Sequence, residues 1–182
     1  AAHLAAIGES DRLAGLTLVV TVLDQSRAGL GSAIVDRRTA DAAAAVSARK
    51  GYLDGRTLAE VFAWLRPGDL IWNYWVNNYL LGKKPFPFDL LYWNADSTRL
   101  PAANHAFYLR EFYHLNRLSK GELTLGGVKL DLSKVKIPIY ELFTKEDHIA
   151  PANSVFIGSK LFGGPVRHVM AGSGHIAGVV NP

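Results

Sequence analysis

The glycine-rich segment at the end of the chain, Gly172 to Pro182, constrains the fold more than any other feature of the sequence. It carries His175 and directly follows a β-like run, Val166 to Ala171. A second β-like run, Ile137 to Thr144, is followed by Lys145-Glu146-Asp147-His148-Ile149. A helix-favouring stretch connects the two runs. The pattern predicts two parallel strands joined by a helical crossover, each ending in a loop with titratable side chains.

Asp147 and His175 are the candidate catalytic residues. In a right-handed βαβ crossover, which nearly all such units form, both loops leave the sheet at its carboxyl edge, where open α/β sheets bind ligands. Strands about 4.8 Å apart would bring the two side chains within hydrogen-bonding reach. The carboxylate would then fix the imidazole tautomer and stabilise the imidazolium that forms when the other ring nitrogen takes a proton. Asp followed by His is also the order in which an α/β-hydrolase fold supplies the last two residues of its triad.

The same residues also have plainer interpretations. A lone acid and a lone histidine on loops are often surface residues, and Asp147 is suitably placed to cap a helix that begins near Pro151. His148, beside the acid, is a weaker candidate for the substrate channel or a supporting role, because its side chain should point away from that of its neighbour. We expect the remaining histidines to have no partners. They are His3, His105, His114 and His168.

The rest of the chain alternates strand-like and helix-favouring segments. Gly15 to Leu23 is a continuous run rich in β-branched residues, typical of a parallel strand that is covered on both faces. Asp41 to Lys50 and Thr57 to Leu65 favour helix, and the turn residues Gly51 to Gly55 separate them. The alternation predicts a parallel sheet flanked by helices, within one α/β domain over residues 1–182.

The middle of the chain is rich in aromatic side chains. Three of the four tryptophans lie between Trp72 and Trp93, and Lys83-Lys84-Pro85-Phe86-Pro87 divides this span into a helical half and an irregular half. An aromatic insertion in an α/β core is commonly a cap over the active site or an association surface. The alternative is that these rings pack in the core, where aliphatic side chains are more usual. We predict that residues 69–118 form a cap or lid insertion.

Composition argues against several other kinds of site. The chain has no cysteine, which excludes disulfides and thiolate metal sites within it, and its six histidines show no metal-ligand spacing. The net charge is +4, but basic residues are interleaved with acidic ones, which argues against nucleic acid. No apolar run approaches the roughly 18 to 20 residues of a membrane helix, and no signal peptide opens the chain. We therefore expect a cytoplasmic protein without metal or cofactor.

Four stretches of the chain resemble the polyhydroxyalkanoate synthases and follow one another in the family's order. They are Asp69 to Gly82, Phe88 to Pro101, Glu146 to Pro151 and Ser173 to Pro182. Tyr108-Leu109-Arg110 is most similar to the class I, short-chain synthases. The resemblance implies an α/β-hydrolase fold and an acyltransferase that joins (R)-3-hydroxyacyl-CoA units, 3-hydroxybutyryl-CoA in class I, into a polyester with release of coenzyme A. It also implies a homodimer bound to cytoplasmic polyester granules.

The resemblance further implies roles for single residues. Asp147 and His175 become two members of a Cys-His-Asp triad, and Trp93 belongs to the cap or substrate channel. In the family the cysteine stands in a lipase-like box upstream, whereas this chain contains no Gly-x-Ser/Cys-x-Gly motif. We therefore expect an inactive piece that lacks the N-terminal strands and the nucleophile elbow, with Ala1 to Ile7 as the back of the elbow helix.

Two other functions remain open at this point. An esterase or polyester depolymerase with an upstream serine would have the same fold and the same Asp-His pair. A non-catalytic module that binds polyester granules through its aromatic segment would need no nucleophile. The four stretches favour the synthase over both, and the identity of the upstream nucleophile would separate the synthase from the esterase.

Overall fold

A computed structural model describes residues 1–27, 36–65, 67–85, 92, 96–176 and 178–179. The chain divides into two compact units, one formed by Ala1–Asp41 with Phe107–Pro182 and the other by Ala42–Ala106. The helices are α1 (Ala2–Ala6), α2 (Arg37–Lys50), α3 (Gly55–Leu65), α4 (Ala102–Phe107) and α5 (Ala152–Ser159). The strands are β1 (Leu16–Val19), β2 (Tyr52–Leu53), β3 (Leu100–Pro101), β4 (Thr124–Leu125), β5 (Val128–Lys129), β6 (Ile139–Thr144) and β7 (Val166–Ala171).

Shorter helical turns complete the described secondary structure. Turns of 3-10 helix lie at Ser10–Arg12, Gln25–Arg27 and Leu132–Lys134. Turns of π-helix lie at Gly68–Trp72, Trp75–Leu80 and Tyr108–His114.

The first unit is built on a parallel sheet of three strands in the order β1-β6-β7. Leu16 pairs with Ile139, and Ile139 pairs with Val166, so all three strands start in register. Their carboxyl ends therefore lie at one edge of the sheet. The predicted parallel sheet with flanking helices is confirmed, and β7 has the predicted bounds.

The first strand is shorter than the sequence analysis predicted. It ends at Val19 rather than Leu23, because Val20 takes a positive φ of 45° that turns the chain out of the sheet. The Val20 N–H still donates to the carbonyl of Leu142 at 2.8 Å. Val20 and Val22 then pack against a buried cluster beside the sheet. Their apolar character thus reflects burial against this cluster rather than continued strand pairing.

Helix α5 connects β6 to β7 and packs against the sheet. The cluster at this contact consists of Phe143, Ala150 and Val155, and Val155 is fully buried. Burial of one such aliphatic side chain stabilises the fold by about 1.5 to 3 kcal/mol. Pro151 occupies the N-cap of α5 with φ −53°, a position where its missing N–H costs nothing. This packing fixes the two loops that leave β6 and β7.

A hairpin that the sequence analysis did not anticipate lies upstream of β6. Strands β4 and β5 pair antiparallel, with Leu125 opposite Val128. Gly126 and Gly127 join them with φ of 59° and 77°. Two consecutive positive φ angles are the requirement of a type I′ turn, for which Gly-Gly is a favoured sequence.

The second unit combines helices with a short antiparallel pair of strands. Tyr52 in β2 pairs with Pro101 in β3, so the predicted turn from Gly51 to Gly55 contains a two-residue strand. The Arg99 guanidinium lies 4.6 Å from the centre of the Tyr52 ring, a cation–π contact across this pair. Many apolar side chains of the unit are exposed, among them Trp64 at 75% and Tyr79 at 71%.

The predicted cap, residues 69–118, includes residues of both units. Its role as a cover over an active site remains a prediction. Within the parts of the chain that the structure describes, no helix is long and apolar enough to span a bilayer.

Candidate active site

The loops after β6 and β7 run side by side because backbone pairing continues beyond the strands. The Lys145 N–H donates to the carbonyl of Ala171 and the Glu146 N–H to that of Ser173, both at 3.0 Å. Ser173 has a φ of 66°, a left-handed conformation that is uncommon for a residue other than glycine. The turn at Ser173 brings the next residues of the β7 loop over the β6 loop.

Asp147 and His175 meet where these loops adjoin. His175 Nδ1 and Asp147 Oδ2 are 2.7 Å apart, and no side-chain atom of Asp147 is exposed to solvent. The other carboxylate oxygen, Oδ1, accepts the backbone N–H groups of Ile149 and Ala150, each at 2.8 Å. Both oxygens are thus hydrogen-bonded, which orients the carboxylate toward the imidazole.

Asp147 does not cap α5, so the alternative role considered for it is wrong. The carboxylate binds N–H groups in the turn before the helix, whereas Pro151 is the N-cap and carries no side-chain cap. The turn therefore holds Asp147 at the end of β6 and leaves its second oxygen for His175.

The orientation of His175 leaves its second ring nitrogen, Nε2, available to exchange a proton. With Nδ1 donating to Asp147, the tautomer leaves Nε2 as an acceptor. Nε2 makes no hydrogen bond with any of the described residues, and the side chain is 29% exposed. The arrangement can therefore take a proton from a substrate or nucleophile and return it to a leaving group.

The loop after β1 reaches the same edge and is fixed by side-chain hydrogen bonds. Asn116 Nδ2 donates to Asp24 Oδ1 at 2.7 Å, and the Gln25 N–H donates to Asn116 Oδ1 at 3.1 Å. Ser154 Oγ, from α5, donates to the carbonyl of Asp24. Burial alone would raise the pKa of Asp24, but hydrogen bonds from Ser26 and Asn116 outweigh burial and hold that pKa below its ordinary value.

The sequence analysis missed the part played by Asn116. Its φ of 52° lies in the left-handed region, where asparagine is among the few residues enriched. That conformation presents both ends of its amide to the β1 loop. An asparagine directly after a helical segment was the only available signal, and it did not identify the partner 92 residues away.

The expectation that the remaining histidines lack partners is wrong for two of them. His105 Nδ1 lies 2.7 Å from Ser47 Oγ, and burial lowers the pKa of this histidine. His168 Nε2 lies 2.7 Å from Ser159 Oγ on α5 and 3.6 Å from a carboxylate oxygen of Glu141. Glu141 pairs with His168 in register on the neighbouring strand, so both side chains project from the same face of the sheet.

Glu141 is a carboxylate buried without a good partner. It is fully buried, and neither of its carboxylate oxygens makes a hydrogen bond with any described residue. Burial raises its pKa to about 6, a rise that the nearby Ser159 hydroxyl partly offsets. Ser159, His168 and Glu141 have the composition of a triad but not its geometry, since Ser159 and Glu141 both approach the same nitrogen, Nε2.

Of the four residues assigned to the site from sequence, the structure brings two together, Asp147 and His175. His148 is exposed on the loop beside Asp147. Trp93 lies outside the described residues. Among the residues that are described, no three histidine, aspartate or glutamate side chains are close enough together to hold a metal ion.

Comparison with known proteins identifies relatives over almost the whole chain. The chain is 57% identical over 172 residues to the poly(3-hydroxyalkanoate) polymerase subunit PhaC of Rhizobium meliloti, covering 94% of this chain and 28% of that protein. It is 55% identical over 181 residues to the poly(3-hydroxyalkanoate) polymerase of Methylorubrum extorquens, covering 100% of this chain and 30% of that protein. It is 43% identical over 187 residues to the polymerase subunit PhaC of Cupriavidus necator, covering 100% of this chain and 32% of that protein. The chain thus spans under a third of the length of these relatives.

The family model for the alpha/beta hydrolase fold matches residues 1–182. The match agrees with the parallel sheet and with an acid and a histidine in the loops after two of its strands. The resemblance to the polyhydroxyalkanoate synthases is confirmed by the identities of 43% to 57% with proteins named as such polymerases. The chain therefore belongs to the α/β-hydrolase fold family, and within it is similar to the poly(3-hydroxyalkanoate) polymerases.

Proposed function

We propose that this chain is part of a polymerase that joins (R)-3-hydroxyacyl-CoA units into a polyester and releases coenzyme A. Asp147 and His175 act in it as the acid and the base of a Cys-His-Asp triad. The nucleophile is a cysteine in a part of the polymerase beyond these 182 residues, because the sequence itself contains no cysteine. The observation that carries this proposal is the 2.7 Å contact between His175 Nδ1 and Asp147 Oδ2 at the carboxyl edge of the sheet.

In the first step, His175 Nε2 takes the thiol proton of the cysteine. The thiolate attacks the carbonyl carbon of the acyl-CoA thioester, the bond from that carbon to the coenzyme A sulfur breaks, and the imidazolium returns its proton to the departing thiolate. A thiol suits this exchange because the acyl group moves from one thioester to another of similar energy. Asp147 stabilises the imidazolium that exists between the two proton transfers.

In the second step, the same nitrogen removes the proton from the 3-hydroxyl group of an acyl unit. The resulting alkoxide attacks the acyl carbon held by cysteine, an ester bond forms, and the cysteine sulfur leaves and regains the proton. The partly exposed side chain of His175, whose Nε2 makes no hydrogen bond with the described residues, supports this role, since the base must reach groups that come from outside the loop.

The finer features of the proposal follow the family resemblance. The acyl unit is 3-hydroxybutyryl, as in class I synthases, and the intact enzyme is a cytoplasmic homodimer at polyester granules. Residues 69–118, including Trp93, form a cap that limits water access to the acyl enzyme, because hydrolysis there would end the polymer. Exposed aromatic side chains such as Tyr79 suit contact with a hydrophobic polyester.

The test is an assay of the whole polymerase with (R)-3-hydroxybutyryl-CoA that follows both coenzyme A release and the acyl product. We expect coenzyme A release together with polymer in the wild-type enzyme, and loss of both in His175→Ala. Glu122→Ala is the control, because Glu122 is exposed and lies outside both the candidate site and the predicted cap. It should retain the wild-type rate.

Three outcomes contradict the proposal. Release of coenzyme A with free 3-hydroxybutyrate and no polymer would indicate a thioesterase or esterase. No release by the wild-type enzyme, with retained binding to polyester granules, would indicate a binding module. Full activity of His175→Ala would remove this histidine from the reaction.

A further inference from the structure

The loop that carries His175 folds back onto the end of β6. The Gly178 N–H donates to the carbonyl of Gly174 at 3.1 Å, which closes a turn around His175. Behind this turn lies Thr144, the last residue of β6, which is fully buried and whose hydroxyl makes no hydrogen bond with any described residue. Gly178 thus lies between the strand that leads to Asp147 and the turn that presents His175.

Position 178 requires glycine because there is no room for a side chain, and not because of its backbone conformation. Its φ lies outside the left-handed region, so the backbone itself would accept any L-residue there. A Cβ at this position would lie 2.6 Å from Cγ2 of Thr144, 3.1 Å from the carbonyl oxygen of Gly174, and in overlap with the carbonyl oxygen of Gly172. Two of these three neighbours are backbone atoms, which cannot move aside as the end of a flexible side chain would.

We infer that Gly178 and Thr144 are positioning residues for His175. Gly178 allows the turn to seat directly against Gly172, and the Thr144 methyl group forms the wall on the β6 side. Their close packing sets the distance between the imidazole and Asp147. This inference rests on the proposed function, because it assigns the packing a purpose only if His175 is the base of the reaction.

A methyl group at position 178 must push the turn away from the strand. The hydrogen bond between His175 Nδ1 and Asp147 Oδ2 tolerates little displacement, because at 2.7 Å it already joins two fixed groups. A misplacement of about 1 Å in a catalytic group lowers rates by about 100-fold. The substitution changes the position of His175 and alters no group that the proposed function assigns to substrate binding, so the loss should fall on kcat rather than on KM.

The test compares Gly178→Ala with Gly172→Ala in the whole polymerase. A Cβ at Gly172 meets nothing within 4 Å, so the control adds the same methyl group to the same loop in open space. We expect a loss of about 100-fold in kcat for Gly178→Ala with KM unchanged, and no more than about a twofold loss for Gly172→Ala. The proton NMR signal of the Nδ1–H of His175, assigned by its absence in His175→Ala, should shift or broaden in Gly178→Ala alone.

Equal effects of the two glycine substitutions on kcat and on the Nδ1–H signal would overturn the inference. If Gly178→Ala does not fold, Thr144→Ser is the alternative test, because it removes only the Cγ2 methyl group that contacts the turn. It should lower kcat about threefold and broaden the Nδ1–H signal of His175. An unchanged signal and kcat in Thr144→Ser would then overturn it. Failure of the proposed function is separately visible, because His175→Ala would in that case retain activity while the NMR comparison still reports on the packing.

Discussion

Two carboxylate–histidine pairs with different environments lie along this part of the chain, one within strands β6 and β7 and one in the loops that follow them. At the carboxyl edge, Asp147 Oδ2 lies 2.7 Å from His175 Nδ1, and its other oxygen accepts two backbone N–H groups. Within the strands, Glu141 lies 3.6 Å from His168 Nε2, and its oxygens have no hydrogen bond among the described residues. Both carboxylate side chains are fully buried.

The difference shows that loops, rather than the strands, organise the pair at the edge. Strand register alone places Glu141 opposite His168, and register fixes the backbones but leaves the carboxylate unsatisfied. The turn after Asp147 supplies two N–H donors that no strand residue could offer, since strand N–H groups are used in the sheet. Both oxygens of the edge carboxylate are thereby hydrogen-bonded, whereas the unsatisfied carboxylate of the buried pair carries a cost in stability.

The largest expected effect comes from replacing the acid of the edge pair. In Asp147→Asn the amide oxygen can still accept the two backbone N–H groups, so the amide NH₂ must face His175 and force a proton onto Nε2. A histidine in that tautomer cannot act as a base, and kcat should fall about 10⁴-fold in the whole polymerase. Coenzyme A release with (R)-3-hydroxybutyryl-CoA measures it.

Asp131→Asn is a matched control for that substitution. Asp131 also accepts a backbone N–H in a turn, that of Ser133 at 2.9 Å, but lies before β6. It should leave kcat within about twofold of wild type, as a surface substitution away from the reacting groups should. Equal losses in the two variants would mean that both act only through local folding.

The next largest effect concerns the pH dependence of stability and the buried pair. The pKa of Glu141 rises from 4.5 in the unfolded chain to about 6 in the folded protein. Below pH 4.5 the carboxyl is neutral in both states. As the pH rises from 4.5 to 6, the carboxyl ionises in the unfolded chain before it ionises in the folded protein. The free energy of unfolding therefore falls by about 2 kcal/mol over this range. The groups that face Glu141 are His168 from β7, Ser159 from α5 and Leu18 from β1.

Glu141→Gln removes this titration. Between pH 4 and pH 8, the free energy of unfolding of the wild type should therefore fall by about 2 kcal/mol relative to that of Glu141→Gln. Thermal unfolding of both proteins across this range measures it, and the exposed Glu122→Gln provides the reference for an ordinary glutamate. Parallel pH curves for Glu141→Gln and wild type would show that Glu141 has a satisfied environment after all.

The smallest expected effect concerns the buried hydroxyl of Thr144, which lies between Glu141 and Asp147 in the sequence. It tests how much stability is lost by burying a hydroxyl without a hydrogen-bond partner. Its hydroxyl is buried and makes no hydrogen bond with the described residues. Thr144→Val keeps the shape of the side chain and removes the unsatisfied group, so the free energy of unfolding should rise by about 1 kcal/mol. A lower melting temperature for the variant would indicate that the hydroxyl has a partner that stabilises the fold.

The sequence predicted the parts of this fold that depend on periodicity and on the order of elements. The run from Val166 to Ala171 became a strand with those bounds, and the acid and the histidine lie in contact after neighbouring strands. These predictions succeeded because a parallel crossover leaves little freedom in where its loops emerge. The catalytic role of the pair remains a prediction.

The features that the sequence did not reveal depend on packing between distant segments. Val20 turns out of the sheet, although the run through Leu23 has continuous strand propensity. By alternation Glu141 shares a strand face with Ile139 and Phe143, but its charge gave no sign that the carboxylate would be fully buried there. The Gly126-Gly127 hairpin is the exception, since its turn signal was present in the sequence.

The most direct test of His175 as the catalytic base is a rapid-quench measurement of coenzyme A release in a single turnover of the whole polymerase. It isolates acylation of the nucleophile, the first step in which the proposed mechanism uses His175. If His175 is the base, His175→Ala should slow this step by about 10⁴-fold while the enzyme still binds its substrate. A single-turnover rate for His175→Ala within about tenfold of wild type would contradict the assignment of His175 as the base.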